Sequence, residues 1–265
     1  MSELQIDIHE HIMQVTLNRP DIHNAISHKS MIDEIIETIS LANQDKTIRA
    51  VILTGAGKSF CAGGNIKDML NKTDMFSGDS KSIEDAYKRG IQSIPLAFST
   101  LEVPIIAAVN GAAVGAGFDM TMMCDIRIGS ESARFAESFV KLGLIPGDGG
   151  AWFLPRKIGP ARAAQMALTG TMIDAKTALN WGIISECLNP EDLLPRAWEI
   201  AKEISQNPPM AVRQTKKLLQ QSESLSLPYM LDLCAKTQAQ LHQTHDHMEA
   251  VKALLEKRQG QYTGN

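Results

Sequence analysis

Apolar and polar positions alternate over residues 4–18, where Ile6, Ile8, Ile12, Val15 and Leu17 stand among polar neighbours. A period of two predicts a strand or hairpin. Past the loop "NRPDIHNAIS" the period lengthens. Met31, Ile35, Ile36, Ile39 and Leu41 fall near helical spacing over about 28–43, with Ser27 placed to cap that helix. Two short apolar runs then follow, "RAVILTGAG" (49–57) and "PIIAAVN" from Pro104, and both read as buried strands. Each leads through a Gly- and Ala-rich turn into a helix, the first within "FCAGGNIKDML" (60–70) and the second over about 116–123. Between them, the polar stretch 71–90 predicts a mobile loop and a helix start, and a helix covers about 85–101. "IRIGS" is a third strand, "RFAESF" an extended segment and "GLIPGDGG" a tight loop. Helices are expected over about 150–157, 160–168 and 174–181, and "WGIISECL" reads as one more strand.

From Glu191 the pattern is almost wholly helical, over about 191–206, 208–221 and 227–257, with breaks at "NPP" and "SLSLP". Strands that alternate with helices argue for parallel pairing and an α/β class. The expected organisation is a strand–helix core over 1–195 and a helical region over 196–265.

Composition narrows the class. With 265 residues, 44% of them hydrophobic, the chain can bury a sizeable core without disulfides. The net charge of −4 and the lack of any long basic run argue against nucleic acid or an anionic membrane as partner. Cys61, Cys124, Cys187 and Cys234 are far apart and show no zinc spacing, so reduced thiols are the plain reading. The N-terminal "MSELQIDIHEH" lacks an apolar signal core, and no apolar run is long enough to span a bilayer. A cytoplasmic, reducing location is the default expectation.

Candidate chemistry lies where one design occurs twice: "VILTGAGKSFCAGGNIK" and "IIAAVNGAAVGAGFD" are each a buried strand, a small-residue turn and a helix start. Helix starts offer unpaired N–H donors and a partial positive charge. Gly and Ala let a ligand reach those donors. Two such turns face to face would aim two N–H groups at one oxygen, which is an oxyanion hole for an enolate or a tetrahedral intermediate. The plainer alternative is that the glycines only let strand and helix pack closely. Neither turn matches the full GxxxxGK[ST] of a phosphate loop: Gly57, Lys58 and Ser59 follow the first strand, but Ile52 stands where that motif has its first glycine.

"FCAGGNIKDM", "PIIAAVNGAAVGAGFDMTMMCDIRI", "ARFAESFVKLGLIPGDGG" and "DAKTALNWGIISECL" together resemble the signature blocks of the crotonase superfamily, the enoyl-CoA hydratases, isomerases and related enzymes. The likeness runs from "NRPDIHNAIS" to "LLEKR" near the end. It implies a spiral of ββα units with a helical C-terminal trimerisation region, and an acyl-CoA thioester as substrate. It implies a homotrimer or a dimer of trimers. By motif position the two N–H donors to the thioester oxygen fall on Gly64 and Ala116. His23 and Ala25 match a loop that lines the CoA adenosine. Ala62, Gly63, Asn65, Ile66 and Lys67 belong to the CoA-binding block, with Lys67 near the phosphates. Lys257 matches a basic residue supplied by a neighbouring subunit. For both lysines a solvated surface charge is the alternative.

Family hydratases position and activate water with two glutamates. The first falls on Asp119, one methylene shorter and three residues beyond Ala116, so on a helix the two share a face. The second falls on Phe139, which does no acid–base work. Two acids stand near enough to substitute. Glu137 would point the same way as Phe139, about 6–7 Å off, if "FAESF" is extended. Asp148 sits in "PGDGG". The alternatives are an ion-paired or solvated Glu137, and an Asp148 that only bonds its own turn.

Other features carry less. His242, His245, Asp246 and His247 in "HQTHDH" lie on a polar helix far from the glycine turns, so no metal site is expected there. Ser138 has no nucleophile motif around it, and "MTMMC" reads as helix core. The leading expectation is an enoyl-CoA hydratase working through a stabilised enolate, with no cofactor beyond the CoA of its substrate. Double-bond isomerisation is next, and thioester hydrolysis stays open. A non-catalytic CoA-binding scaffold is the reading from another class.

Overall fold

The computed structural model describes residues 2–222 and 224–265. An antiparallel hairpin of β1 (Leu4–His9) and β2 (Ile12–Leu17) leads through α1 (Lys29–Gln44) into a repeating unit. Its first turn is β3 (Ala50–Gly55), β4 (Ser59–Cys61) and α2 (Ile66–Asn71). Helices α3 (Ser80–Arg89) and α4 (Ser93–Thr100) connect to the second turn, β5 (Ile105–Val109), β6 (Ala112–Val114) and α5 (Ala116–Met123). The third is β7 (Ile126–Ser130) and β8 (Arg134–Ala136), followed by a 3-10 turn at Phe139–Leu142 and by α6 (Gly150–Ile158) and α7 (Pro160–Thr169). Then come β9 (Ile173–Asp174), α8 (Ala175–Trp181), β10 (Glu186–Leu188), α9 (Pro190–Ser205), α10 (Pro209–Gln221), α11 (Leu227–Leu241) and α12 (His245–Glu256).

Each of the three turns gives one strand to each of two sheets. The larger sheet runs β1-β2-β3-β5-β7-β10 and the smaller β4-β6-β8-β9. Because β3, β5 and β7 are parallel neighbours, and so are β4, β6 and β8, the chain climbs as a spiral of ββα units. The parallel expectation holds for these strands, whereas β1–β2 and β8–β9 pair antiparallel.

The unbroken apolar runs have a direct cause, since the larger sheet is buried on both faces. On one side Val51, Leu53, Ile105, Ala107 and Val109 enter a core shared with α1, α4 and α5. On the other, Ala50, Ile52, Ile106 and Ala108 pack against Leu193, Ala197, Ile200 and Ala201 of α9. Beyond α9 the chain is tied down by buried cations. Arg213 Nη2 donates to the Ile48 carbonyl at 3.1 Å and Lys216 Nζ to the Val103 carbonyl at 2.8 Å, and Lys216 also pairs with Asp125 at 2.7 Å. A groove of about 1000 Å³ remains open, walled by Leu96, Met122, Trp152, Phe153 and Val212 among others.

Several expected boundaries shift. The single helix over 85–101 is two, α3 and α4, separated at Gly90–Gln92, and α3 begins earlier behind an Asp79 side-chain cap. The helix over 227–257 is also two. Thr244 caps α12 by accepting from the His247 N–H, which breaks the helix there. Ser27 does not cap α1. His28 holds that position, and the Ser27 Oγ accepts the Asn65 N–H at 3.0 Å instead. "RFAESF" is extended only to Ala136, so Glu137 and Phe139 do not share a strand face. The short strands β4, β6 and β9 are too brief to leave a period of two.

Candidate active site

Register brings the two small-residue turns together. Cys61 pairs with Ala113 and Ala113 with Phe135, so Gly64 and Ala116 each lie three residues past an aligned pair. Gly63 has φ +82, and a side chain there would stand 2.6 Å from the Val114 carbonyl and 3.1 Å from the Ala116 nitrogen. Only glycine permits both the backbone conformation and that approach. Ala116 opens α5, where no preceding helical carbonyl is available for its N–H. Gly64 lies between β4 and α2, flanked by Met69 and Phe76.

The "NRPDIHNAIS" loop braces the first turn from behind. Buried Asn24 donates from Nδ2 to the carbonyls of Ala56, Ser59 and Phe60 at 2.9–3.1 Å. The Ile26 N–H bonds the Gly63 carbonyl at 2.8 Å, and the Ala62 N–H bonds the His23 carbonyl at 3.0 Å. His23 is exposed, with Nδ1 3.2 Å from the Ser59 Oγ, and Ala25 is buried behind it. Asn65 caps α2 by accepting the Lys67 N–H at 3.0 Å, which leaves Ile66 and Lys67 exposed at the rim. Each nitrogen of His28 lies 3.3 Å from a carboxylate, Asp68 on one side and Asp74 on the other, a brace on this segment that its sequence does not announce. Lys257 is exposed at the end of α12.

Beyond the second turn lies a cluster of three acids. Asp119, Glu137 and Asp148 are 1%, 1% and 6% exposed. Asp119 projects from the first turn of α5, Glu137 follows β8, and Asp148 precedes α6. Gly150, which the sequence did not single out, joins them. Its N–H donates to Asp119 Oδ2 at 2.9 Å, and a side chain on it would lie 2.3 Å from Asp119 Oδ1 and 2.1 Å from Glu137 Oε1. Asp119 Oδ1, Asp148 Oδ1 and both Glu137 oxygens have no donor among the described residues.

Burial dominates their titration. It pushes Asp119 up to about 7, helped by the charge of Asp148 and opposed by the neighbouring Glu137 carboxyl and the hydrogen bond from the Gly150 N–H. Burial, then the charge of Asp119, pushes Glu137 up to about 10. Burial alone takes Asp148 to about 6. The ion-paired reading of Glu137 and the turn-bonding reading of Asp148 Oδ1 both give way to these buried, donor-poor oxygens. Tyr87 of α3 is raised by burial and then by the charge of Asp148. The Phe139 ring lies 3.5 Å from where a Gly115 side chain would begin, against the second turn. His242 and His247 contact each other at 3.0 Å on the exposed corner between α11 and α12, in a separate part of the chain.

The Enoyl-CoA hydratase/isomerase family model matches residues 7–265. The chain is 36% identical over 254 residues to 1,2-epoxyphenylacetyl-CoA isomerase of Escherichia coli, covering 96% of this chain and 95% of that one. It is 33% identical to crotonyl-CoA hydratase of Syntrophomonas wolfei, with coverage of 96% and 95%. The crystal structure of enoyl-CoA hydratase from Bacillus anthracis superposes with a TM-score of 0.93 at 32% identity, covering 99% of this chain and 100% of that one. On sequence and on fold alike, the chain belongs to the enoyl-CoA hydratase/isomerase family of the crotonase superfamily.

Proposed function

We propose that the protein binds an enoyl-CoA with its thioester oxygen between the Gly64 and Ala116 N–H groups, and that Asp119 moves the proton at the α-carbon. The observation that carries this reading is the register of the two turns, with a fully buried carboxylate in the first turn of the helix that Ala116 opens. Charge that develops on the thioester oxygen meets two fixed donors, a preorganised arrangement that favours an enolate. A carboxylate held near neutrality is matched to taking and returning a proton. The thioester supplies the acidity, so the reaction draws on no cofactor beyond the CoA carried by the substrate. His23, Ala25, Ala62, Gly63, Asn65, Ile66 and Lys67 line the approach for CoA.

Hydration of a 2-enoyl-CoA is the leading activity, with Asp148 as the second acid at the water. Phe139 favours a second reading. An apolar ring at the second glutamate position suits isomerisation of a 3-enoyl-CoA, where one carboxylate carries the proton between two carbons. The functional assembly in this reading is a trimer or a dimer of trimers. The support is apolar side chains left exposed on the last helices, among them Leu227, Tyr229, Leu231, Leu254 and Leu255. In that assembly Lys257 of a neighbouring copy serves the CoA phosphates. Turnover of a panel of 2-enoyl-, 3-enoyl- and saturated acyl-CoAs, with products identified by mass spectrometry and chirality, tests the reading. A 3-hydroxyacyl product supports hydration, a shifted double bond supports isomerisation, and no product from any of them overturns it.

A further inference from the structure

Glu137 is the group this chemistry leaves unexplained. It is 1% exposed, and among the described residues neither of its oxygens receives a hydrogen bond from an N–H or hydroxyl group. An ionised carboxylate so placed, without donors or a cation, is far too costly to persist. Its neighbours make ionisation worse. The groups that act on it are Asp119 from α5 and Asp148 from the loop before α6, both acids, and the charge of Asp148 also raises Tyr87 of α3. Asp119 is better provided, because the Gly150 N–H bonds its Oδ2. Both carboxyl groups converge on the same α-carbon, that of Gly150.

Two buried carboxyl groups with one backbone donor between them cannot both be anions. We propose that Asp119 and Glu137 share a single proton that resides on Glu137, whose carboxyl donates to Asp119 and so positions and stabilises the catalytic carboxylate. This inference rests on the assignment of Asp119 as the proton-transfer group. In isomerisation of a 3-enoyl-CoA, or in hydration run in reverse, the substrate's α-proton passes to Asp119 and the electron pair of that C–H bond moves onto the thioester oxygen; in hydration the proton returns from Asp119 to the α-carbon. The Glu137 proton stays where it is. Glu137 is therefore a positioning residue, acting through Asp119.

Infrared difference spectroscopy and pH–rate profiles of Glu137→Gln, Glu137→Leu and Asp148→Asn test this. The wild-type protein should show the carbonyl band of a buried, protonated carboxylic acid at mildly alkaline pH, above the range in which Asp119 and Asp148 hold protons. That band should be lost in Glu137→Gln and kept in Asp148→Asn. Glutamine is neutral and still donates, so its pH–rate limb should stay at the wild-type position. Leucine donates nothing, so its limb should move to higher pH and its rate should fall by ~10-fold or more. If Glu137 were an anion, glutamine would remove a repelling charge and move the limb to lower pH by a unit or more, which overturns the proposal. A band that survives in Glu137→Gln also overturns it. Where Glu137→Gln fails to fold, the Asp119→Asn, Asp148→Asn double variant decides, because only Glu137 then remains to give the band, and its loss there overturns the proposal. The infrared result needs no turnover, so a failure of the Asp119 assignment is separable from a failure of the shared proton.

Discussion

The Gly150 N–H holds Asp119 Oδ2 at 2.9 Å, and the same residue leaves no room on its α-carbon for a methyl group. A Gly150→Ala substitution would press on Asp119 and Glu137 together. Alanine is no worse than glycine by helix propensity at this first position of α6, so the effect isolates the contact. We expect destabilisation of ~1–3 kcal/mol from overpacking and a loss of turnover larger than the change in KM. Denaturant melts beside steady-state kinetics check this, and an unchanged kcat in a folded variant would mean that the acids do not depend on Gly150.

Asp119→Asn keeps the shape and removes the proton acceptor. If Asp119 moves the proton, kcat should fall by ~10²–10⁴-fold with little change in KM. Asp148→Asn should cost hydration more than isomerisation, because only hydration needs a second acid. A loss of tenfold or less in folded Asp119→Asn transfers the role to Asp148.

A base must be ionised to act. With Asp119 at about 7, the rate in the directions that remove an α-proton, isomerisation and dehydration, should rise as pH increases through neutrality. Asp148, at about 6, ionises first, and Glu137, at about 10, stays protonated across that range. Initial rates from mildly acid to mildly alkaline pH test the limb, and a flat profile would contradict it.

Stability should run the other way. All three folded values lie above the unfolded ones, so the contribution is full below about 4 and is lost as pH rises through each folded value. Melting temperature should therefore decline from acid to alkaline pH more steeply in wild type than in Glu137→Gln. Scanning calorimetry across the range measures the difference.

Exposed Leu254 and Leu255, 80% and 78% accessible in the single chain, should be covered in the assembly. Light scattering at micromolar concentration should give three or six times the 29.0 kDa chain mass. Replacing both leucines with aspartate should shift the distribution toward the monomer. A wild-type protein that runs as a monomer contradicts the trimer.

Much of this was readable beforehand because it depends on local pattern. Helix α5 begins and ends where its flanks predict, behind Gly115 and before Cys124. The double-faced strands announce themselves as unbroken apolar runs. The splits at Gly90 and Thr244 were missed because apolar periodicity continues across both, although Thr244 offers an ordinary capping signal. The convergence of Glu137 on Asp119 could not be read. It depends on the chain turning into a 3-10 helix after Ser138, with φ −90 and ψ 7 there, and on α6 starting against α5. Neither leaves a mark in the spacing of residues.

The spiral also acts as a ruler. Equivalent places after β4, β6 and β8 hold Gly63–Gly64, Gly115–Ala116 and Glu137–Ser138, one pair from each turn. Neighbouring strands repeat at ~4.8 Å, a step that lets two N–H groups straddle a single oxygen. A further step of the same size sets a carboxyl group beside them. Distances that a loop-built site would have to fix one at a time are inherited here from the pitch of a sheet, so changes in the loops alter what the site accepts while the spacing of its reactive groups stays fixed.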